Sequence, residues 1–322
     1  MSAVVFAGAG ASIVGGAARL AHDLLAWQPE YDGSRRRHMR ERRVFEAWSE
    51  RRRRGNVNIE EWFSELQASD DPRDFGLFHD LAAVVAHGLA QDMAHSRNFR
   101  TNFHSLTRVT SATQVPAKEA VWSVLSRLHP LAVVTTNYDI VIERALRFKP
   151  TRSLPGFNYG ELGEVLQGSP WFGHGRSGTL NGVVPLYKLH GSLSWERAPG
   201  LCVVKYLNCG PAITGKALIV PPVRGKPEAP RGLEQMWTGA SSALREASRL
   251  IIIGYSAPSY DVAVRRLLAE AVPTGAAVDV FDLFDYVAER YREILPGRSV
   301  AFHGPLPDAL GALKNIATGA RV

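Results

Sequence analysis

The stretch Val4-Val5-Phe6-Ala7-Gly8-Ala9-Gly10-Ala11-Ser12 runs an apolar segment straight into a glycine-rich turn. That order reads as a buried strand, a tight turn and the start of a helix near Ser12. Two later stretches repeat the arrangement. Leu131-Ala132-Val133-Val134 leads into Thr135-Thr136-Asn137-Tyr138-Asp139, and Val183 to Leu189 leads into His190-Gly191-Ser192. A fourth, Leu250-Ile251-Ile252-Ile253, leads into Gly254-Tyr255-Ser256. Open α/β sheets bind ligands at the carboxyl ends of their parallel strands. Loops carrying glycines, an amide, a carboxylate and a histidine there imply a nucleotide site with chemistry in it.

Outward from these loops, apolar strand runs alternate with helical periodicity, which favours an α/β fold with a parallel sheet. After the first βα unit no second parallel strand follows. Residues from about 30 to 128 read as a helical insertion, with Ile59, Trp62, Phe63 and Leu66 at helical spacing, then Phe78, Leu81, Ala82 and Val85, then Val121, Trp122, Leu125 and Leu128. Residues from about 150 to 215 read as an irregular small module, rich in Gly, Pro and Ser up to 182 and with a short hairpin after the histidine turn. Ala217 to Val220 and Ala277 to Leu283 read as further strands. The whole chain, 1–322, reads as one catalytic domain containing both inserts.

Composition bounds the class. Hydrophobic residues make up 45% and charged residues 21% of the 322, as in an ordinary globular protein. The sequence holds no apolar run of spanning length and no secretory leader before Val4, so a cytoplasmic protein without membrane contact is expected. Two cysteines, Cys202 and Cys209, exclude a disulfide framework. They also fall short of the four ligands of a structural zinc, so no metal is expected. The net charge is +7, and ten arginines fall between Arg35 and Arg54 against Glu41, Glu46 and Glu50. That segment is either a surface for nucleic acid or an acidic protein, or a solvated helix buried through Val44, Phe45 and Trp48.

Gly8 and Gly10 permit close approach of the backbone to a diphosphate, and the helix that follows would point free N–H groups at it. The spacing is not the dehydrogenase fingerprint, which needs a third glycine where Ile13 stands and an acid at the end of a second strand. Nor does a Gly-Lys-Ser/Thr follow, so it is no P-loop. A tight structural turn remains the alternative for the glycines alone. His190 suits a base, because imidazole titrates nearest neutrality. By itself it also fits a structural histidine. Asn137 and Asp139 can cap the helix that starts at Ile140, and Ser259 and Asp261 read as caps of the next helix rather than ligands.

The order GAGAS, TTNYD, HGS, GYS resembles that of the sirtuins, the silent information regulator two type, from Val4 to about Leu283. It looks closest to the sirtuin-like proteins of prokaryotic antiphage defence, which share TTNYD and a helix like Asn58-Ile59-Glu60-Glu61. The resemblance implies a Rossmann-like (DHS-like NAD/FAD-binding) fold and NAD as substrate. It implies that Gly8, Ala9, Gly10 and Ser12 wrap the diphosphate and the nicotinamide ribose. Asn137 would place ribose or water, Asp139 would hold the carboxamide of nicotinamide, and His190 would act as base at the ribose. Gly254, Ser256 and Asp282 would contact the adenosine half. Protein deacetylases of the family carry two Cys-x-x-Cys pairs and a Phe-Gly-Glu strand, and this sequence has neither. The implied function is an NAD glycohydrolase, an effector of antiviral defence switched on by assembly or by a partner such as a DNA-translocating ATPase or a short Argonaute. A homo-oligomer is expected. A protein deacylase, an ADP-ribosyltransferase and a non-catalytic NAD or ADP-ribose sensor are the alternatives.

Overall fold

The computed structural model describes residues 2–9, 11, 35–55, 59–95, 128–140, 142–143, 156–159, 183–198, 201–204, 217–221, 232–306 and 308–319. Within these, ten strands form two sheets. They are β1 (Ala3–Ala7), β2 (Ala132–Thr135), β3 (Gly156–Asn158), β4 (Val183–Lys188), β5 (Gly191–Ala198), β6 (Leu201–Val204), β7 (Ala217–Ile219), β8 (Arg249–Ile253), β9 (Ala277–Phe281) and β10 (Ser299–Phe302). The larger sheet has the order β10-β9-β8-β1-β2-β4-β3, and every pairing in it is parallel. This is the Rossmann-like α/β architecture.

Apolar runs make the central strands because both of their faces are covered. Ala3 to Ala7 and Leu250 to Ile253 are buried along their whole length. The helices that cover them present one stripe each. Helix α4 (Glu234–Arg245) buries Met236, Trp237, Ala240 and Leu244. Helix α5 (Val262–Ala271) buries Val264, Leu267, Leu268 and Ala271, and α6 (Tyr286–Ile294) buries Val287, Ala288, Tyr291 and Ile294. Helix α7 (Leu310–Thr318) closes the chain on Leu313 and Ile316.

Among the described residues, three helices, α1 (Arg35–Arg53), α2 (Ile59–Ala68) and α3 (Pro72–His95), stand in the interval between β1 and β2. They share a second core of Val44, Trp48, Ile59, Trp62, Phe63, Leu66, Leu81 and Val85. Trp48 stacks on Trp62 with centroids 5.5 Å apart. Ile140 and Leu193 belong to this core too, so the helices pack against the turn after β2 and against β5. The arginines of α1 meet acids of the same unit. Arg43 and Arg40 reach Asp80, Arg51 forks onto Glu65 and lies over Trp62, and Arg42, Arg53 and Arg54 pair along the helix with Glu46 and Glu50. Arg42, Arg53 and Arg54 still expose most of their side chains, so those pairs add little stability and leave charge at the surface. The expected helix over Val121–Leu128, except Leu128 itself, and the start of the first helix near Ser12 lie outside the described residues.

The smaller sheet has the order β6-β5-β7 and is antiparallel. The strand expected at Ala217–Val220 joins this sheet and not the parallel one. The hairpin expected after the histidine is β5–β6. Two elements were not legible in sequence. Strand β3 stands within the Gly-rich segment, and the edge strand β10 has Ser299 and Ala301 exposed, so it lacks a continuous apolar run. Among the described residues no helix is long and apolar enough to cross a membrane.

Candidate functional site

From β1 the sheet extends through β2, β4 and β3 on one side, and through the later strands β8, β9 and β10 on the other. Strand β1 is therefore where the strand order reverses. Such a switch point opens a crevice at the carboxyl ends of the strands, where ligands bind. Gly8 follows β1, Asn137 and Asp139 follow β2, His190 follows β4, Gly254 and Ser256 follow β8, and Asp282 follows β9.

These loops are tied to one another. The Gly8 amide donates to the Ile253 carbonyl at 2.9 Å, and the Gly254 amide donates to Phe281 at 2.9 Å. A Cβ on Gly8 would lie 2.5 Å from the Gly254 carbonyl oxygen and 2.6 Å from Tyr255 Cα. The glycine is thus required by the β8 loop, whatever lies in the crevice. Gly254 itself has φ +59, in the left-handed region. Ala9 is exposed beside it and the Ala11 amide bonds the Gly8 carbonyl at 3.0 Å, while Gly10 and Ser12 lie outside the described residues.

On the other side, the Thr135 hydroxyl donates to the Ala7 carbonyl at 2.7 Å and accepts from the Asn137 amide at 3.1 Å. The Asn137 side-chain amide donates to the Gly8 carbonyl at 2.8 Å. Asn137 and Asp139 are both buried. Asn137 thereby bridges from the loop after β2 to the turn after β1.

Below Asp139 lies a buried polar network. Lys188 donates to the Asp139 carbonyl and pairs with Glu143 at 2.8 Å. The Tyr159 hydroxyl donates to the same Glu143 oxygen at 3.1 Å. Burial pushes the Glu143 carboxyl above its usual range, against the opposing pull of the Lys188 charge. Burial also pushes Tyr159 well above a free phenol.

His190 stands at the hand-over from the parallel sheet to the small one and is 4% exposed. Its backbone is pinned on both sides. Leu189 N–H donates to the Thr135 carbonyl, the Trp237 indole donates to the Leu189 carbonyl at 3.0 Å, and Val220 N–H donates to the His190 carbonyl at 2.9 Å. The imidazole lies 3.5 Å from Asp261 Oδ1 through Nε2, and Tyr138 sits beside it with ring centroids 6.4 Å apart.

Asp261 is where sequence reasoning went astray. It does occupy the N-terminal cap position of α5, but its side chain makes no capping hydrogen bond. The carboxylate instead turns inward, 2% exposed, and accepts from the Tyr255 hydroxyl at 2.8 Å. Burial and the Asp261 charge hold Tyr255 well above a free phenol, so it stays a donor. The Tyr291 hydroxyl in turn donates to the Tyr255 carbonyl at 2.8 Å, and Arg290 donates to the Ser256 carbonyl at 2.6 Å. Between them Ala257 holds φ +44 in full burial, a strained turn fixed by its surroundings. Asp282 sits at the far end of the row, where burial raises its carboxyl and the Phe284 and Leu283 amides pull it back.

Among the described residues no group of His, Cys, Asp or Glu could hold a metal ion. Cys202 lies on β6 and Cys209 lies outside the described residues.

No curated protein matches the chain. Solved structures with related folds include one described as the structural basis for the mechanism and regulation of Sir2 enzymes, at 16% identity over 99% of this chain and 94% of that one, TM-score 0.45. Sir2Tm bound to a propionylated peptide matches at 13% identity over 100% and 94%, TM-score 0.44. A Sir2 homolog–NAD complex matches at 14% identity over 99% and 89%, TM-score 0.41. These are distant likenesses, and no residue's role follows from them. Residues 131–273 match the family model described as the SIR2-like domain. That span leaves out the Gly8 turn but holds Asn137, Asp139, His190, Gly254, Ser256 and Asp261, and over it the chain is similar to a SIR2-like domain.

Proposed function

We propose that the chain hydrolyses NAD to nicotinamide and ADP-ribose. The observation that carries the reading is the meeting of the Gly8, Asn137, His190, Gly254 and Asp282 loops at the switch point of the sheet. In this reading the diphosphate lies on the Gly8–Ser12 turn, the adenosine half lies along Gly254, Ser256 and Asp282, and Asp139 takes the carboxamide of nicotinamide. The bond from the ribose anomeric carbon to the nicotinamide nitrogen breaks, and nicotinamide leaves with the bonding pair. Water adds to the carbon, and its proton passes to His190 and then to solvent. Asn137, tied to β1, places the water or the ribose without competing for that proton. Holding the reactants in this geometry and supplying a base are the two contributions such a site can make.

Hydrolysis is preferred to deacylation on one structural point. Strand β7 is three residues long and is followed by Pro221, so it offers little edge for an extended acyl-peptide to join. An activity that destroys NAD must be silent until needed. The role that fits is an effector of antiviral defence, released by assembly into an oligomer or by a partner such as a DNA-translocating ATPase or a short Argonaute. The Arg35–Arg54 segment is the proposed docking face for a partner or nucleic acid.

The test follows nicotinamide and ADP-ribose from NAD, with purified protein and in phage-challenged cells. The expected result, with no acylated peptide present, is equal amounts of both products, released at a low basal rate by the purified chain and at a higher rate in the challenged cells. His190→Ala and Asn137→Ala should each lower the rate about a hundredfold or more. Release only with an acylated peptide would move the chain to the deacylases. ADP-ribose retained on a macromolecule would indicate transfer. NAD bound tightly and returned intact by every variant in both settings would make it a sensor.

A further inference from the structure

We propose that Asp261 is the positioning residue of His190: it holds the ring proton on Nε2, so that Nδ1 is left as the acceptor for the reaction. The proposal rests on the reading of His190 as the base. Its geometry stands independently of that reading.

A buried carboxylate needs a partner, because desolvating an unpaired charge is expensive. Asp261 has the features of a helix cap in sequence, yet its oxygens do not serve the α5 amides. One oxygen, Oδ2, takes the Tyr255 hydroxyl at 2.8 Å. The other, Oδ1, faces the His190 Nε2 at 3.5 Å. That contact is an electrostatic one, at the edge of hydrogen-bond reach and longer than an ordinary N–H···O bond. Both residues are immobilised. The His190 backbone is held from Val220, and Leu189 beside it from Thr135 and Trp237. Tyr255 is held by Tyr291 and by its ring packing on Phe6 of β1, with centroids 4.8 Å apart. The N-terminus of α5 adds its favourable dipole to the Asp261 charge. Around the pair stand Tyr138 from the β2 loop, Tyr255 and Tyr260 from the β8 loop, Arg265 on α5, and Tyr291 and Arg290 on α6, with Asp282 beyond them. Tyr255 and Tyr291 stay neutral, because burial holds each well above a free phenol.

The Tyr255 hydroxyl makes the consequence specific. In Asp261→Asn the amide oxygen takes over the bond from Tyr255, and the amide NH2 faces His190. A donor there turns Nε2 into an acceptor and moves the ring proton to Nδ1, the wrong side for catalysis. The change is nearly isosteric, so packing alone would not produce this.

The experiment uses the full chain labelled with ¹⁵N-histidine, with the His190 signals assigned by their loss in His190→Gln. The tautomer is read from ring ¹⁵N–¹H correlations without NAD. Wild type should show the proton on Nε2, and Asp261→Asn should show it on Nδ1. Nicotinamide release by Asp261→Asn should fall by roughly 10²–10⁴ in kcat with KM nearly unchanged, the pattern of a ring held in the wrong tautomer. Asp261→Glu should keep the wild-type tautomer. An unchanged tautomer in Asp261→Asn would overturn the proposal, whether or not activity fell. The predicted swap in a protein that never releases nicotinamide would leave the pairing standing and remove the hydrolase reading instead.

Discussion

Gly191→Ala is expected to destabilise the protein by on the order of 3–5 kcal/mol, a large part of a domain's total stability. Gly191 holds φ +82, where an L side chain is strained. A Cβ there would also drive into the Leu218 carbonyl oxygen, far inside van der Waals contact. That carbonyl belongs to β7, whose Ile219 is in register with Gly191, so relief means breaking the β5–β7 ladder at its first pair. The same shift would move His190, whose carbonyl accepts the Val220 amide from just beyond β7. Denaturant unfolding should therefore show a lower midpoint, and NAD binding should weaken in the fraction that folds. A variant as stable as wild type would mean that the turn relaxes without cost, and that its conformation is not fixed by β7.

Lys188→Met should cost about 3–5 kcal/mol, because it leaves the Glu143 charge buried without its partner. Both side chains are at most 1% exposed, and Glu143 Oε2 makes no hydrogen bond among the described residues. The Asp139 carbonyl loses its Nζ donor as well, so the loop that carries Asn137 and Asp139 loosens. Lys188→Met combined with Glu143→Leu should recover most of the stability, since replacing both members of a buried pair by apolar groups is often neutral. It should not recover NAD affinity, because the tie to Asp139 is still missing. The two outcomes separate by calorimetric unfolding and by nucleotide titration. A single variant that loses less than about 1 kcal/mol would show that water reaches the pair.

Much of the frame was legible because strands β1, β2, β8 and β9 are buried on both faces and are therefore mostly apolar. Their carboxyl ends could be read from the abrupt change to Gly8, Thr135, Gly254 and Asp282. Strand β10 escaped because half of its residues face outward at the sheet edge, and the sheet that β7 joins was not legible because three apolar residues carry no sign of direction. In the site, Gly8 was read for its freedom to approach a phosphate. Its packing against Gly254 and Tyr255 gives a second cause that no local pattern contains. Asp261 was masked by a sufficient local explanation, since an acid just before a helix is what a cap looks like. The Tyr255 hydroxyl that it accepts from, and His190 3.5 Å away and far off in sequence, are brought to it only in three dimensions. Lys188 and Glu143 escaped for a related reason: a charged residue at the end of an apolar strand reads as solvent-facing until its counter-ion is located.

If these loops form one NAD site, His190 stands at the ribose. A crystal structure of the His190→Ala variant soaked with NAD, in which turnover is blocked, measures this directly. The diphosphate should lie on the turn after β1 and adenosine beside Gly254 and Asp282. The nicotinamide ribose should lie between Asn137 and the vacated imidazole position. A dinucleotide bound away from this crevice, or one whose ribose faces neither Asn137 nor residue 190, would contradict this placement.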